Sequence, residues 1–155
     1  MGEGGRNSDM TRGWIAVVAG ALHGPDGRWL MQRRPEGKHH AGLWEFPGGK
    51  VEGSEMPAQS LCRELREELG INCRADALSP CGFAETGDTG ANPPIVILLY
   101  IVNDWEGDPQ ALEGGTVGWF TPAEALALPK PPLDIALAQR LFENIENSSK
   151  TPCQA

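Results

Sequence analysis

The segment Ile95–Val102 constrains the fold of this chain more than any other, because it contains eight consecutive apolar residues. A run of that length is too short for most helices, and its composition is typical of a strand that is buried on both faces. Such a strand needs neighbouring strands at its edges and other elements over each face. The sequence therefore predicts a layered domain with this strand in the middle of a sheet.

The remaining segments supply the other strands and the helices of such a domain. Two apolar stretches, Trp14–Leu22 and Arg28–Arg34, flank the turn sequence Gly24–Gly27, which predicts a β-hairpin. Strands and helices alternate irregularly, which favours an α/β (α+β) fold with a mixed sheet over a doubly wound parallel one. The other predicted elements are strands 71–78, 81–86 and 117–120, a helix over 57–69, a short helix that starts at 121–124 with Thr121 as its cap, and a last helix from 132 or 134 to 145.

The length of 155 residues predicts one domain. We expect it to span residues 13–147. The Gly-rich, polar residues 1–12 lack the apolar stretch of a secretory signal and predict a flexible arm, and residues 148–155 predict a flexible tail.

Charge and cysteine content narrow the classes of partner. Thirteen basic against 21 acidic residues leave a net charge of −8, which argues against binding to duplex nucleic acid or to an anionic membrane. No apolar run approaches the ~18 residues of a membrane span.

The four cysteines show no CxxC spacing, which predicts free thiols in a reducing cytoplasm rather than a zinc site. They stand at Cys62, Cys73, Cys81 and Cys153.

The helix predicted at 57–69 places three carboxylates on one edge, beside its apolar stripe. These residues, spaced i, i+3 and i+4, are Glu64, Glu67 and Glu68. Like charges at this spacing repel one another by a few tenths of a kcal/mol each. A hard divalent cation such as Mg²⁺ or Mn²⁺ would relieve that repulsion, since it prefers carboxylate oxygens. The alternative is a solvated helix face that Arg63 and Arg66 neutralise.

The spacing around this helix is more specific than its charge. From Gly49 through Glu55 to Ile71 the chain fits the pattern G-x5-E-x7-R-E-U-x-E-E-x-G-U, where U is an aliphatic residue, at every specified position. The segment resembles the complete signature of the Nudix hydrolases. The segment 45–50 (EFPGGK) and parts of the C-terminal half resemble the MutT-like branch of that family, and the resemblance extends from Trp14 to Leu141. It implies an α/β/α sandwich around a mixed sheet.

The resemblance also implies a metal site. Glu67, Glu68 and the carbonyl of Gly49 would be ligands of Mg²⁺, with Mn²⁺ as a possible substitute. Glu113 matches a further acidic ligand outside the motif, or is an ordinary exposed carboxylate.

Roles for other residues follow from the same resemblance. Glu64 would be the general base or a ligand of a second metal, Arg63 would orient it, and Glu55 would support the segment through hydrogen bonds. Lys50 and Arg34 match positions that face substrate phosphates, although either could be a surface charge.

The implied reaction is hydrolysis of a nucleoside triphosphate to the monophosphate and pyrophosphate, by attack of water on the β-phosphorus. The partner would be a small nucleotide, and the protein a monomer or a homodimer. Asp134 stands where MutT-like enzymes of oxidised guanine have Asn, so either 8-oxo-dGTP or a cytidine-type nucleotide is the expected substrate class. Asp134 could instead cap the last helix. Phe46 could contact the base or pack in the core.

Two further alternatives remain open. One is a hydrolase of another nucleoside diphosphate derivative. The other is a Nudix-fold module that recognises a base without catalysis, although such modules usually lose the carboxylates that this chain keeps.

Overall fold

Two sheets and three helices make up the computed structural model, which describes residues 13–87 and 92–150. The larger sheet has the strand order β4-β1-β6-β5 and the smaller one the order β3-β2-β7. The strands are β1 (Ile15–Leu22), β2 (Trp29–Arg33), β3 (Trp44–Glu45), β4 (Gly48–Lys50), β5 (Leu78–Glu85), β6 (Ile95–Val102) and β7 (Thr116–Phe120).

The apolar segment Ile95–Val102 is an interior strand, as predicted. It pairs in parallel with β1, from Ile15 opposite Ile95 to Leu22 opposite Val102, and antiparallel with β5. The larger sheet is therefore mixed, which confirms the predicted fold class.

Successive residues of β1 face two separate cores. Val18 packs with Leu61 and Leu65 of the first helix, whereas Ala19 packs on the other face, with Leu137 and Leu141 of the last helix. The second of these cores also contains residues of the smaller sheet. One helix on each face of the larger sheet is the α/β/α arrangement that the resemblance implied.

The helices are α1 (Pro57–Leu69), α2 (Pro122–Ala127) and α3 (Pro132–Lys150). Proline at the first position and the left-handed Gly70, with φ of 71°, bound α1 as predicted. No helix of the described residues is both long and apolar enough to cross a bilayer.

The predicted hairpin of the first two strands is wrong. The Gly24–Gly27 turn forms, but β1 and β2 belong to different sheets and only the isolated bridge His23–Trp29 joins them. Both edges of β1 are occupied, by β4 and β6, so β2 has no free edge there and pairs instead with β3 and β7.

Two other predictions need correction. No strand covers Ile71–Leu78: Asn72 forms an isolated bridge with Glu106, a short 3-10 turn follows at Ala75–Ala77, and β5 begins at Leu78. The last helix continues five residues past Ile145 to Lys150, so residues 148–150 lie in α3 and not in a tail. The predicted arm, residues 1–12, and the end of the tail, residues 151–155, lie outside the described residues.

Candidate active site

Two consecutive glycines let α1 lie against strand β4. Gly48 and Gly49 pair with Ala19 and Val18 of β1. A Cβ on Gly48 would overlap the carbonyl oxygen of Val18, and a Cβ on Gly49 would overlap the carboxylate of Glu64. The absence of side chains at these positions thus allows the Glu64 carboxylate to pack directly on the strand backbone.

Arg63 organises the carboxylates around it. Its guanidinium binds Glu55 in a bidentate manner, with Nε–Oε2 at 2.9 Å and Nη2–Oε1 at 3.0 Å. Its Nη1 donates to Glu64 Oε1 at 3.0 Å and to Glu67 Oε2 at 3.3 Å. Its Nη2 also donates to the carbonyl of Lys50 at 3.2 Å. One planar donor set therefore ties α1 to the loop before it and to β4.

Glu55 is the anchor of this network. Besides Arg63, its carboxylate accepts from the hydroxyl of Ser60 at 2.9 Å and from the backbone N–H of Glu52 at 3.3 Å. These donors, Arg63 first, lower the pKa of Glu55 to about 2, and Glu55 in turn raises the pKa of Arg63. Both groups are charged at neutral pH, which fits the supporting role expected for Glu55.

Glu68 lies deeper than the other two carboxylates of α1. Its Oε2 accepts from the N–H of Gly48 at 3.2 Å. Burial, followed by the charges of Glu64 and Glu113, raises the pKa of Glu68 to about 8. Burial also raises the pKa of Glu64, despite the opposing effect of Arg63. The site therefore crowds carboxyl groups whose ionisation the protein alone does not fully stabilise.

The segment before Glu113 is fastened to the end of α1. Gln110 donates its N–H to the carbonyl of Leu69, and Leu112 donates to the carbonyl of Glu68, both at 3.0 Å. These two bonds bring Glu113 close enough for its charge to raise the pKa of both Glu64 and Glu68. The fold thus adds to the site a carboxylate that is 45 residues distant from Glu68 in sequence.

The donor set suits a hard divalent cation. Glu64, Glu67, Glu68 and Glu113 offer carboxylate oxygens, and Gly49 offers a carbonyl. Across residues 13–87 and 92–150, no three acidic, His or Cys side chains converge as they stand into a ready coordination shell. Glu64 and Glu68 are instead turned toward Arg63 and the Gly48 N–H. The crowding of these carboxyl groups and the donor chemistry both fit a cation, and the ligand assignments stay a prediction.

The two expected phosphate-binding cations differ in their surroundings. Arg34 forms an ion pair with Glu45, with Nε–Oε1 at 3.0 Å, and donates to the carbonyl of His39 at 3.1 Å. Lys50 is the last residue of β4, next to Gly49, and is exposed to solvent. Their contacts with phosphate stay predictions.

A hydrogen bond that the sequence did not indicate joins the backbone of Phe46 to the side chain of Asp134. The Phe46 ring is 4% exposed and packs in a core, and its backbone N–H donates to Asp134 Oδ1 at 3.0 Å. Asp134 lies in the first turn of α3, inside the helix, so the alternative that it caps α3 is wrong. Burial raises the pKa of Asp134, which is 6% exposed, to about 7. This packing leaves little of the Phe46 ring exposed for contact with a base.

Asp134 therefore makes stability depend on pH. The folded carboxyl keeps its proton up to a pKa of about 7, whereas in the unfolded chain it ionises near 3.8. Unfolding then releases a proton, and the free energy of unfolding falls as pH rises from about 4 to about 7, by roughly 4 kcal/mol at most. An asparagine side chain at this position would not ionise and could still accept from Phe46.

We expect Asp134→Asn to have little effect on the thermal midpoint near pH 3.5 and to raise it progressively, relative to wild type, toward about pH 8. The measurement is thermal unfolding of both proteins across that range. If the thermal midpoints of the two proteins changed with pH by the same amount, Asp134 would be ionised in the folded protein and the prediction would be wrong.

Some residues of the site were not anticipated from the sequence. Gly48 donates to Glu68 and permits the β4–β1 contact, and Ser60, fully buried on α1, donates to Glu55. The Gly-Gly pair after Pro47 was a signal for the first. Ser60 precedes Glu64 by one helical turn and so lies on the charged edge of α1, and that placement was the signal for the second.

Comparison with known proteins agrees with this geometry. The family model described as "NUDIX domain" matches residues 14–141. The chain is 40% identical over 81% of its length to a CTP pyrophosphohydrolase of Escherichia coli K12, of which it covers 89%. It is 34% identical over 89% of its length to an 8-oxo-dGTP diphosphatase of Haemophilus influenzae, of which it covers 98%. A solution structure of the E. coli ORF135 protein superposes with a TM-score of 0.76 at 36% identity, covering 90% of this chain and 95% of that one.

Proposed function

Because this chain belongs to the Nudix family, we propose that it is a Mg²⁺-dependent pyrophosphohydrolase of nucleoside triphosphates, which sanitises oxidised or otherwise modified nucleotides. The reaction converts (d)NTP and water to (d)NMP and pyrophosphate. Its relatives are named as diphosphatases or pyrophosphohydrolases of small nucleotides. Nudix hydrolases generally need a divalent metal, and the choice of Mg²⁺ over Mn²⁺ is part of the proposal.

The observation that carries the proposal is the position of Glu64. Arg63 holds its Oε1 at 3.0 Å, and the absence of a side chain on Gly49 leaves room for the carboxylate beside β4. Its Oε2 has no bond to Arg63 and is free to accept a proton from the attacking water. Glu55 acts through Arg63 as a positioning residue, since its carboxylate is occupied by Arg63, Ser60 and the N–H of Glu52.

Water adds to the β-phosphorus as the bond from that phosphorus to the oxygen bridging to the α-phosphate breaks. The monophosphate leaves with the bridging oxygen, and pyrophosphate is the other product. Bound metal supplies charge neutralisation for the phosphates and a more acidic water. The residues that would hold it are Glu67, Glu68, Glu113 and the Gly49 carbonyl. Lys50 and Arg34 would add positive charge toward the phosphates.

Asp134 bears on the choice of base. An ionised Asp only accepts hydrogen bonds, but with a pKa of about 7 it is protonated in part at neutral pH and can also donate. An oxidised guanine nucleotide therefore stays compatible with Asp at this position. The second candidate is a cytidine-type triphosphate, and it is favoured by the carboxylate itself and by the 40% identity to a CTP pyrophosphohydrolase.

A substrate panel tests the proposal and separates the two candidates. The panel contains canonical NTPs and dNTPs, 8-oxo-dGTP and modified cytidine triphosphates, each assayed for pyrophosphate release with Mg²⁺, with Mn²⁺ and with EDTA. We expect release that requires Mg²⁺, with kcat/KM highest for 8-oxo-dGTP. A highest value for CTP or a modified dCTP would select the second candidate. No release from any triphosphate would refute the activity and leave base recognition without catalysis, or a different diphosphate substrate.

Location and assembly complete the proposal. We place the protein in the cytoplasm because the three cysteines among the described residues are free thiols and a reducing compartment suits them. The family resemblance is the ground for proposing a monomer or a homodimer.

A further inference from the structure

Two cysteines that the proposed chemistry does not use lie side by side. Cys62 is on α1, Cys73 is on the segment that follows it, and the Cys73 thiol donates to Cys62 Sγ at 3.1 Å. Both are half-buried. The chain reverses at Gly70, whose φ is 71°, and the fully buried Ile71 anchors the returning segment against the helix. The contact is therefore produced by the fold itself.

We propose that Cys62 and Cys73 form a redox-responsive pair, which closes to an intramolecular disulfide when the protein meets a disulfide oxidant such as oxidised glutathione. The Cys62 sulfur accepts the hydrogen bond and attacks the oxidant first, which releases one reduced glutathione. Cys73 then attacks the Cys62 sulfur of the mixed disulfide and releases the second. The two thiols lose two electrons and two protons, and both glutathione molecules leave as thiols.

The geometry favours closure of the pair over other thiol reactions. A disulfide has an S–S distance of ~2.05 Å, so the sulfurs must approach by about 1 Å. Cys62 lies on the helix and Cys73 between Gly70 and the 3-10 turn at Ala75–Ala77, so rotation of the two cysteine side chains can supply that approach while the backbone stays in place. Burial raises the pKa of Cys73 to about 12. That thiol is therefore a poor target for external oxidants, and its reaction is with the sulfur beside it.

The bridge would connect α1 to the region that carries Glu113. Asn72 and Glu106 exchange backbone hydrogen bonds of 2.9 and 2.8 Å, and the chain continues from there to the two bonds that fasten Gln110 and Leu112 to α1. Closing a loop of about 12 residues restricts the unfolded chain, so oxidation is expected to raise the thermal midpoint by roughly 5–10 °C.

The experiment incubates the full-length protein with oxidised glutathione, blocks free thiols, and maps the disulfides by mass spectrometry after trypsin digestion without reductant. Trypsin places Cys62 and Cys73 in separate peptides, 51–63 and 67–74. We expect these peptides to be linked, and the thermal midpoint to rise in wild type and in the control Cys81→Ser. The rise should be absent in Cys62→Ser and in Cys73→Ser.

Three results would overturn the proposal: peptides 51–63 and 67–74 that stay unlinked, glutathione attached separately to each cysteine, or an equal thermal gain in Cys73→Ser. Neither readout uses a nucleotide or a metal. A failure here therefore leaves the proposed hydrolase activity untouched, and the reverse also holds.

Discussion

Glu68→Gln is expected to lower kcat/KM for the preferred triphosphate by roughly 100- to 1,000-fold while the fold is kept. The loss follows from removing a charge that would hold the metal, since metal stabilisation of the transition state is worth several kcal/mol. The Gln side chain retains an oxygen that can accept from the Gly48 N–H, as Glu68 does at 3.2 Å. Removing the charge also relieves repulsion with Glu64 and Glu113. The thermal midpoint should therefore stay unchanged or rise.

The measurement is steady-state pyrophosphate release combined with thermal unfolding of the metal-free protein. Glu67→Gln should show a comparable loss of turnover. Glu52→Gln is the matched control, because it makes the same substitution beside the same network at a side chain that is 70% exposed and 3.8 Å from Arg63. Full activity in Glu67→Gln and Glu68→Gln would exclude both residues from catalysis.

Gly48→Ala is expected to lower both stability and activity, whereas Gly49→Ala is expected to lower activity alone. The new Cβ at position 48 would overlap the Val18 carbonyl and lie 2.8 Å from the Cα of Ala19, so strand β4 must move away from β1. Backbone shifts of this kind cost ~1–3 kcal/mol or more, and we expect a lower thermal midpoint together with low activity.

At position 49 the three atoms nearest to the new Cβ all belong to the carboxylate end of Glu64, which can rotate. Gly49→Ala should therefore keep a thermal midpoint close to wild type while losing most of its turnover. Gly13→Ala is the neutral control, because a Cβ added there would have no atom within 4 Å. Equal stability of all three variants would contradict the close contact between β4 and β1.

The motif made the catalytic end of the molecule predictable, because its residues are local in sequence. The spacing of Glu64, Glu67 and Glu68 places them on one edge of any helix, and Arg63 reaches Glu67 one turn later, as the structure has it. The mutual contact of Arg63 and Glu55 joins a loop to a helix only eight residues later, so the spacing of the motif carries that contact as well.

Contacts between distant segments were harder to predict from the sequence. Nothing near Asp134 in sequence indicates that its partner is the N–H of Phe46, 88 residues earlier, or that burial leaves its pKa at about 7. The hairpin prediction failed for a related reason: a turn flanked by two apolar stretches does not reveal that β4 and β6 already occupy both edges of β1.

The amino-acid order alone determined the α1 helix, its charged edge, the interior strand β6 and the family, since each depends on periodicity or spacing within a short stretch. The packing of distant segments instead fixes which strands share a sheet, how deeply Glu68 and Asp134 are buried, how closely Glu113 approaches α1, and that Cys62 meets Cys73. Those properties depend on which surfaces exclude water and on which backbone edges remain free, and both arise only when distant segments pack together.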